Sequence, residues 1–346
     1  MLKIAVEKRA STVVGHDHSL SVFLRLVRPL RKLSQRGGVE VCAASTAALL
    51  DHGGFPYDVL FVNRPTQSEN LTLIRRARDA GVPVVVDIDD WMYTLPSYGK
   101  DLLRERADPA RELYDLAQAM TLPTSFFAQV MAPVFAGQRS VLPYGFEFDG
   151  AASTSVAEAD TRRIILSSMF TLKLGRRTEA FAAALRDFLD RFEDWSVDFY
   201  CENYATDLFE HPRIARLSPV SYDDYLRVLS QRRYAFCLVP LAGYEEEADL
   251  LFNACKSPLK FVDYSANAIG GIYSRSPVYE TVIEDRRSGL LVDNTYDGWF
   301  AAMGELAQNA SLRRELSTVS HDVAREHFSL DVSVEALRRT LDTLLP

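Results

Sequence analysis

Cysteine is scarce: Cys42, Cys201, Cys237 and Cys255 are the four in 346 residues, and no two stand at Cys-x-x-Cys spacing or beside a histidine cluster. That excludes a disulfide framework and a zinc site. Cys42 and Cys237 fall inside strand-like runs and read as small buried apolar residues. Long apolar runs are missing as well. No stretch approaches the roughly 18–20 residues of a membrane span, and Lys3, Glu7, Lys8 and Arg9 stand where a signal peptide would be apolar. A cytoplasmic chain is expected. Nor is there a basic surplus, since 39 Lys and Arg against 47 Asp and Glu leave a net charge of −8. This argues against nucleic acid or an anionic membrane as the main partner, while allowing a local basic pocket.

What is present is ordinary globular composition, 47% hydrophobic and 25% charged, which rules out wholesale disorder. The length holds about two domains at roughly 100–200 residues each. Short apolar runs alternate with longer amphipathic ones, the pattern of parallel strands joined by crossover helices. Strands are predicted at Lys3 to Val6, Val39 to Cys42, Asp58 to Val62, Pro83 to Asp87 and Ala119 to Leu122. Helices are predicted over Ser19 to Gln35, stopped by Gly37-Gly38, and over Ser68 to Ala80, stopped by Gly81. Periodicity fades from Val141 to Ala159, as a linker does. It then resumes with strands at Arg163 to Ser167, Val197 to Cys201, Ala235 to Val239, Gly271 to Ser274 and Gly289 to Val292. Helices over Arg177 to Phe192, Tyr222 to Leu229 and from about Ser257, Asp297, Ser311 and Val332 complete the pattern. The fold class is α/β, with two Rossmann-like β/α domains facing across a cleft.

The stretch Asn253-Ala254-Cys255-Lys256-Ser257-Pro258-Leu259-Lys260-Phe261-Val262-Asp263 carries the chemistry. Pro258 suits the first turn of a helix, with Ser257 as its cap. Lys256 then precedes the helix, Lys260 lies one turn in, and Asp263 follows at i+3. Free N–H groups, the positive end of the helix dipole and two ammonium groups suit a diphosphate. A carboxylate about a turn further accepts from ribose hydroxyls. The alternative is a solvated lysine pair on a surface helix.

The succession through Gly270-Gly271-Ile272-Tyr273-Ser274, Ser276-Pro277-Val278-Tyr279 and Ser288-Gly289-Leu290-Leu291-Val292 resembles the C-terminal domain of GT-B glycosyltransferases, family 4 and its bacterial cell-surface polysaccharide relatives. Trp299, Leu312-Arg313-Arg314-Glu315-Leu316 and Phe328-Ser329 extend the resemblance, which covers about Tyr234 to Leu344. It implies a nucleoside diphosphate sugar donor held by residues 146–330, an acceptor side in residues 1–145, and a C-terminal helix at 331–346 that crosses back to the first domain. It also implies hexosyl transfer to a hydroxyl acceptor, which would be a saccharide, lipid-linked or small molecule, with retention of configuration. By resemblance, Lys256, Lys260 and Ser257 hold the diphosphate, Asp263 takes the place of a ribose-binding glutamate, and Tyr279 falls in the donor loop. The corresponding loop Ser167 to Arg177 offers Lys173 and Arg176 to the diphosphate, and such cations let an enzyme of this kind work without a metal or other cofactor. One departure is clear: eight positions before Asp263, where the family has a glutamate, stands Cys255. The nearby Glu245-Glu246-Glu247 is out of register and reads as a solvated loop.

Val84-Val85-Val86-Asp87-Ile88-Asp89-Asp90-Trp91 ends an apolar strand in three carboxylates, which belong at the open end of a sheet. It resembles a GT-A metal motif and the nucleophile motif of haloacid-dehalogenase-type phosphatases; the third reading puts Asp89 or Asp90 at a GT-B cleft mouth, as catalytic groups contacting donor sugar or acceptor. Carboxylates capping a turn are the structural alternative. His16, or His18, follows the first strand and could orient the acceptor or serve as a base; with no third ligand at suitable spacing, a metal site is not expected. The favoured function is glycosyl transfer. A nucleotide-sugar-binding protein with little turnover, and a metal-dependent phosphohydrolase built on Asp87 and Asp89, are the rivals.

Overall fold

A computed structural model describes residues 1–8, 19–51, 54–65, 68–91, 112, 114–148, 161–168, 176–201, 208–241 and 246–345. The first sheet contains β1 (Leu2–Glu7), β2 (Val39–Ala44), β3 (Val59–Asn63), β4 (Val84–Asp87), β5 (Ala119–Leu122) and β6 (Gln138–Val141), in the order β2-β1-β3-β4-β5-β6. The second contains β7 (Arg163–Ser168), β8 (Ser196–Cys201), β9 (Ile214–Leu217), β10 (Phe236–Val239), β11 (Gly271–Ser274) and β12 (Leu290–Val292), in the order β12-β11-β10-β7-β8-β9. All pairings are parallel.

Central strands β3, β4, β10 and β11 are buried along their whole length, which is why each reads as a continuous apolar run. The edge strands β6 and β9 are only partly buried and carry Gln138, Arg139 and Arg216. The apolar pattern does not predict them. In each sheet the strand order reverses once, between β1 and β3 and between β7 and β10. Ligands of open α/β sheets bind beyond the carboxyl ends of the strands at such a reversal.

The first helical run differs from expectation in its middle. A π turn at Phe23–Val27 separates Leu20–Val22 from the α-helix Arg28–Gln35, and the Arg28 N–H closes it on the Phe23 carbonyl. Gly37 and Gly38 follow with φ of +94° and +81°, left-handed conformations that end the helix. Glu246 and Glu247 are not a loop: Glu246 caps the helix Glu247–Ala254 in a reciprocal pair with Asp249. Glu245 lies outside the described residues.

The last helix, Leu330–Leu344, lies against Arg28–Gln35 in the first half of the chain. Its Val334, Leu337 and Leu341 share a core with Leu26 and Leu30, and Asp331 pairs with Lys32 at 2.9 Å and with Arg36. Phe146 and the segment Phe328 to Leu330 exchange two backbone hydrogen bonds of 2.7 Å where the chain passes between sheets. Gly145 permits this approach, because a Cβ there would lie 2.9 Å from Leu330 Cα. No helix among the described residues is long and apolar enough to cross a membrane.

Candidate functional site

At the carboxyl ends of the second sheet, a cavity of about 160 Å³ is lined by Ser167, Tyr200, Val220, Tyr222, Lys260 and Asp263, with Leu20 reaching in from the first half of the chain. Ser167 is the penultimate residue of β7, beside the strand-order reversal, and Val220 lies in the loop after β9. Lys260 and Asp263 stand on the helix Leu259–Ala266. The N-cap of that helix is Pro258 and no side chain caps it, so Ser257 sits one residue too early for the capping role expected of it. Proline has no side-chain acceptor, which leaves the first-turn N–H groups without a cap.

Lys260 Nζ donates to Ser167 Oγ at 2.7 Å and lies 4.9 Å from the Tyr225 ring centroid. Ser167 Oγ also meets the hydroxyls of Tyr225 at 2.8 Å and Tyr264 at 2.7 Å. Burial lowers the Lys260 pKa, and the Asp263 charge opposes that. The Tyr222 hydroxyl donates to Asp263 Oδ1 at 2.6 Å. Burial pushes the Asp263 carboxyl up to about 6, with Lys260 and the Tyr222 hydrogen bond pulling the other way. A fully desolvated carboxylate held this way is an acceptor whose charge is available to a ligand donating hydroxyls.

Lys256 stands at the domain boundary. Its Nζ lies 3.7 Å from Asp90 Oδ1, beyond β4 of the first sheet, and 4.3 Å over the Phe252 ring. Asp90 Oδ2 accepts from Arg64 Nη1 at 2.8 Å. The expected ammonium pair is therefore split. Lys260 belongs to the cavity, and Lys256 bridges to the opposite domain.

The three carboxylates after β4 do different work. Asp87 is wholly buried and accepts from Arg25 Nε and Nη2, from Asn63 Nδ2 at 2.7 Å and from Thr121 Oγ1 at 2.7 Å. Both its oxygens are committed to side chains of the core, so the phosphohydrolase reading of Asp87 and Asp89 fails on geometry. Asp89 is only 5% exposed, accepts from Tyr144 at 2.8 Å and lies 2.9 Å from Arg64 Nε. Burial would raise its pKa, but Arg64 and Arg25 hold it below the ordinary carboxylate range. A carboxylate fixed between a guanidinium and a phenol is an anchor for the sheet end, not the reactive group expected there. Asp90 alone of the three faces the boundary, partly exposed.

Tyr279 is also placed differently. It is 3% exposed and packs on Tyr273 at 5.1 Å between ring centroids, a core residue instead of an open donor-loop side chain. Cys255 is fully buried in an apolar cluster that includes Trp91 and Phe127 of the first domain, and burial pushes its thiol up to about 12. The position where the resemblance implies a glutamate is thus part of an apolar contact between domains. His16, His18 and Lys173 lie outside the described residues, as does the side chain of Arg176, whose backbone opens the helix Arg176–Arg191.

Sequence reading missed Ser167, Tyr222 and Tyr225 as site residues, although Tyr222 and Tyr225 at i, i+3 share a helix face. It also missed Arg25, whose signal was a lone cation among the apolar Leu24, Leu26 and Val27.

No protein-family model matches the sequence, and no curated protein sequence does. The structure is similar to HepE of Anabaena, solved in complex with UDP and glucose, at a TM-score of 0.70 and 12% identity over 99% of this chain and 100% of that one. Similar values hold for sucrose-phosphate synthase of Thermosynechococcus elongatus, with a TM-score of 0.69 and 12% identity over 99% of each chain. A glycosyltransferase of Rickettsia africae gives 0.70 at 11% identity, covering 99% of this chain and 98% of that one. The fold is GT-B. The GT-A reading of Asp87-Ile88-Asp89 does not fit a GT-B fold, and the contacts of Arg25 with Asp87 and of Arg64 and Tyr144 with Asp89 account for both carboxylates. Asp90, beyond β4 of the first sheet, meets Lys256 of the second half across the boundary, while Lys260 lies beside the reversal of the second sheet.

Proposed function

We propose that this chain moves a sugar from a nucleoside diphosphate to a hydroxyl acceptor. The observation that carries this reading is the cavity beyond the β7/β10 reversal, where Lys260 and Tyr222 flank the desolvated Asp263 carboxylate. The cavity joins apolar walls to a buried carboxylate and an uncapped helix start, a combination that fits a nucleoside carrying phosphate. HepE, with the same fold, has been solved with UDP-glucose, which supports the donor class.

In this reading Asp263 accepts from the ribose hydroxyls, and the start of the helix Leu259–Ala266 faces the diphosphate. Lys256 turns from Asp90 to the phosphate as charge builds on the leaving group, with Lys173 and Arg176 added by the family resemblance. Asp90, relieved of Lys256, receives a hydroxyl of acceptor or sugar, and His16 orients the acceptor. The cations supply the charge that a divalent ion supplies elsewhere, so transfer is metal-independent. Retention of configuration, with the leaving phosphate taking the acceptor proton, and a role in cell-surface polysaccharide synthesis in the cytoplasm follow from the resemblance alone.

The test is a thermal-shift screen of ADP, CDP, GDP and UDP, followed by release of the stabilising diphosphate from its sugar conjugates over an acceptor panel. Stabilisation by one diphosphate, lost in Lys260→Ala, together with acceptor-dependent release supports transfer. Stabilisation without release favours the second reading, a nucleotide-sugar-binding protein. The observation on its side is the burial of Cys255 where the family carries a glutamate.

A further inference from the structure

Arg28 opens the helix Arg28–Gln35 of the first domain, at the residue whose N–H closes the π turn. Its Nε is buried, and among the described residues no group accepts from it. The side chain is only half-buried, so the guanidinium has left water on one edge without gaining an acceptor there. Buried polar atoms in native proteins are nearly always paired, and an orphan calls for an explanation, of which an absent water or anion is one.

Two neighbours share its face of the helix. Leu20 lines the cavity that holds Lys260 and Asp263, and Leu24 shares a buried cluster with Tyr222 and Tyr225. Arg28 continues that stripe one turn on, at i, i+4 and i+8. The π turn widens the helix between Leu24 and Arg28, a feature that recurs at functional sites. The guanidinium lies close enough to Asp263 and Tyr222 for its charge to act on both, yet it forms no ion pair with Asp263, which is occupied by Tyr222. A guanidinium and a carboxylate thus stand near each other, beside the cavity that Asp263 and Leu20 line, without an ion pair between them.

We propose that Arg28 is the first domain's hold on the donor, its fork binding the phosphate attached to the ribose whose hydroxyls Asp263 accepts. This rests on the nucleotide reading above and adds to it a contact from the opposite domain. Guanidinium binds phosphate oxygens in pairs, which an ammonium cannot do. Arg28 therefore separates nucleotides from nucleosides, while Asp263 and the apolar walls treat both alike.

The experiment is calorimetric titration of wild type, Arg28→Gln and Arg28→Lys with whichever of ADP, CDP, GDP or UDP binds wild type best, then with its monophosphate and its nucleoside. Arg28→Gln is expected to weaken diphosphate and monophosphate about tenfold or more, and the nucleoside less than about twofold, with Arg28→Lys between. The melting temperature of empty Arg28→Gln is expected at or above that of wild type, since no partner of Nε is lost. Equal weakening of all three ligands, or unchanged affinity for the diphosphate, overturns the inference. If wild type binds no nucleoside diphosphate, the function reading itself fails and the inference goes with it.

Discussion

Lys256 and Asp90 face each other at 3.7 Å across the two domains, each about three-tenths exposed. An ion pair this wet contributes on the order of 0–1 kcal/mol to stability, so its interest is functional. In the proposed donor site Asp90 competes with the phosphate for this ammonium.

Asp90→Asn removes a competing anion. It is expected to change unfolding free energy by less than about 1 kcal/mol and to tighten nucleoside diphosphate binding about threefold by calorimetry, while acceptor-dependent transfer falls. Weaker diphosphate binding in this variant would show that Asp90 supports the donor site instead of competing with it.

Asp263 sets a pH dependence whose sign is unusual for a carboxylate. Its folded pKa of about 6 lies above its ordinary 3.8, so the native state holds the proton more tightly than the unfolded chain. The stability of the empty protein from this group is full below about pH 4, falls as pH rises to about 6, and is lower by roughly 3 kcal/mol above that. Urea denaturation across pH 4 to 7 is expected to lose this slope in Asp263→Asn. Nucleotide affinity should run the other way, rising through pH 6 as the carboxylate forms. An affinity that is flat over that range would remove Asp263 from the site.

Tyr222→Phe takes away the hydroxyl 2.6 Å from Asp263. The carboxyl pKa is then expected to rise further, and affinity for the best nucleoside diphosphate at pH 7 to fall about three- to tenfold. The affinity should recover as pH is raised to 8. A loss that pH does not restore would assign Tyr222 to packing.

Arg25 and Asp87 are both fully buried. Asp87→Asn leaves the guanidinium without a counter-charge and is expected to cost about 3–5 kcal/mol of stability, read from urea midpoints, with nucleotide affinity of the folded protein unchanged. A stable Asp87→Asn protein that had lost a magnesium-dependent phosphatase activity would reinstate the phosphohydrolase.

Much of the architecture was legible from the chain because buried parallel strands such as Val59–Asn63 and Val84–Asp87 are unbroken apolar runs. The edge strands Gln138–Val141 and Ile214–Leu217 were hidden, since half-exposed strands carry polar side chains that periodicity discards. The same limit applies to the site. Lys256, Lys260 and Asp263 lie within one turn-and-helix and could be found together, whereas Leu20, Ser167, Tyr222 and Tyr225 meet only after folding. The run Asp87 to Asp90 misled for a related reason: three carboxylates in four residues look equivalent until Arg25 and Tyr144, distant in sequence, bury the first two and leave Asp90 at the boundary. Burial of Tyr279 has the same origin, in its packing on Tyr273.

The most direct measurement is a crystal structure grown with the nucleoside diphosphate that best stabilises the protein. Ribose hydroxyls are expected within hydrogen-bond distance of Asp263 and phosphates at the start of the helix Leu259–Ala266, with Lys256 drawn off Asp90. A nucleotide bound in the first domain, or away from the groove with the Lys260–Ser167 cavity empty, would contradict it.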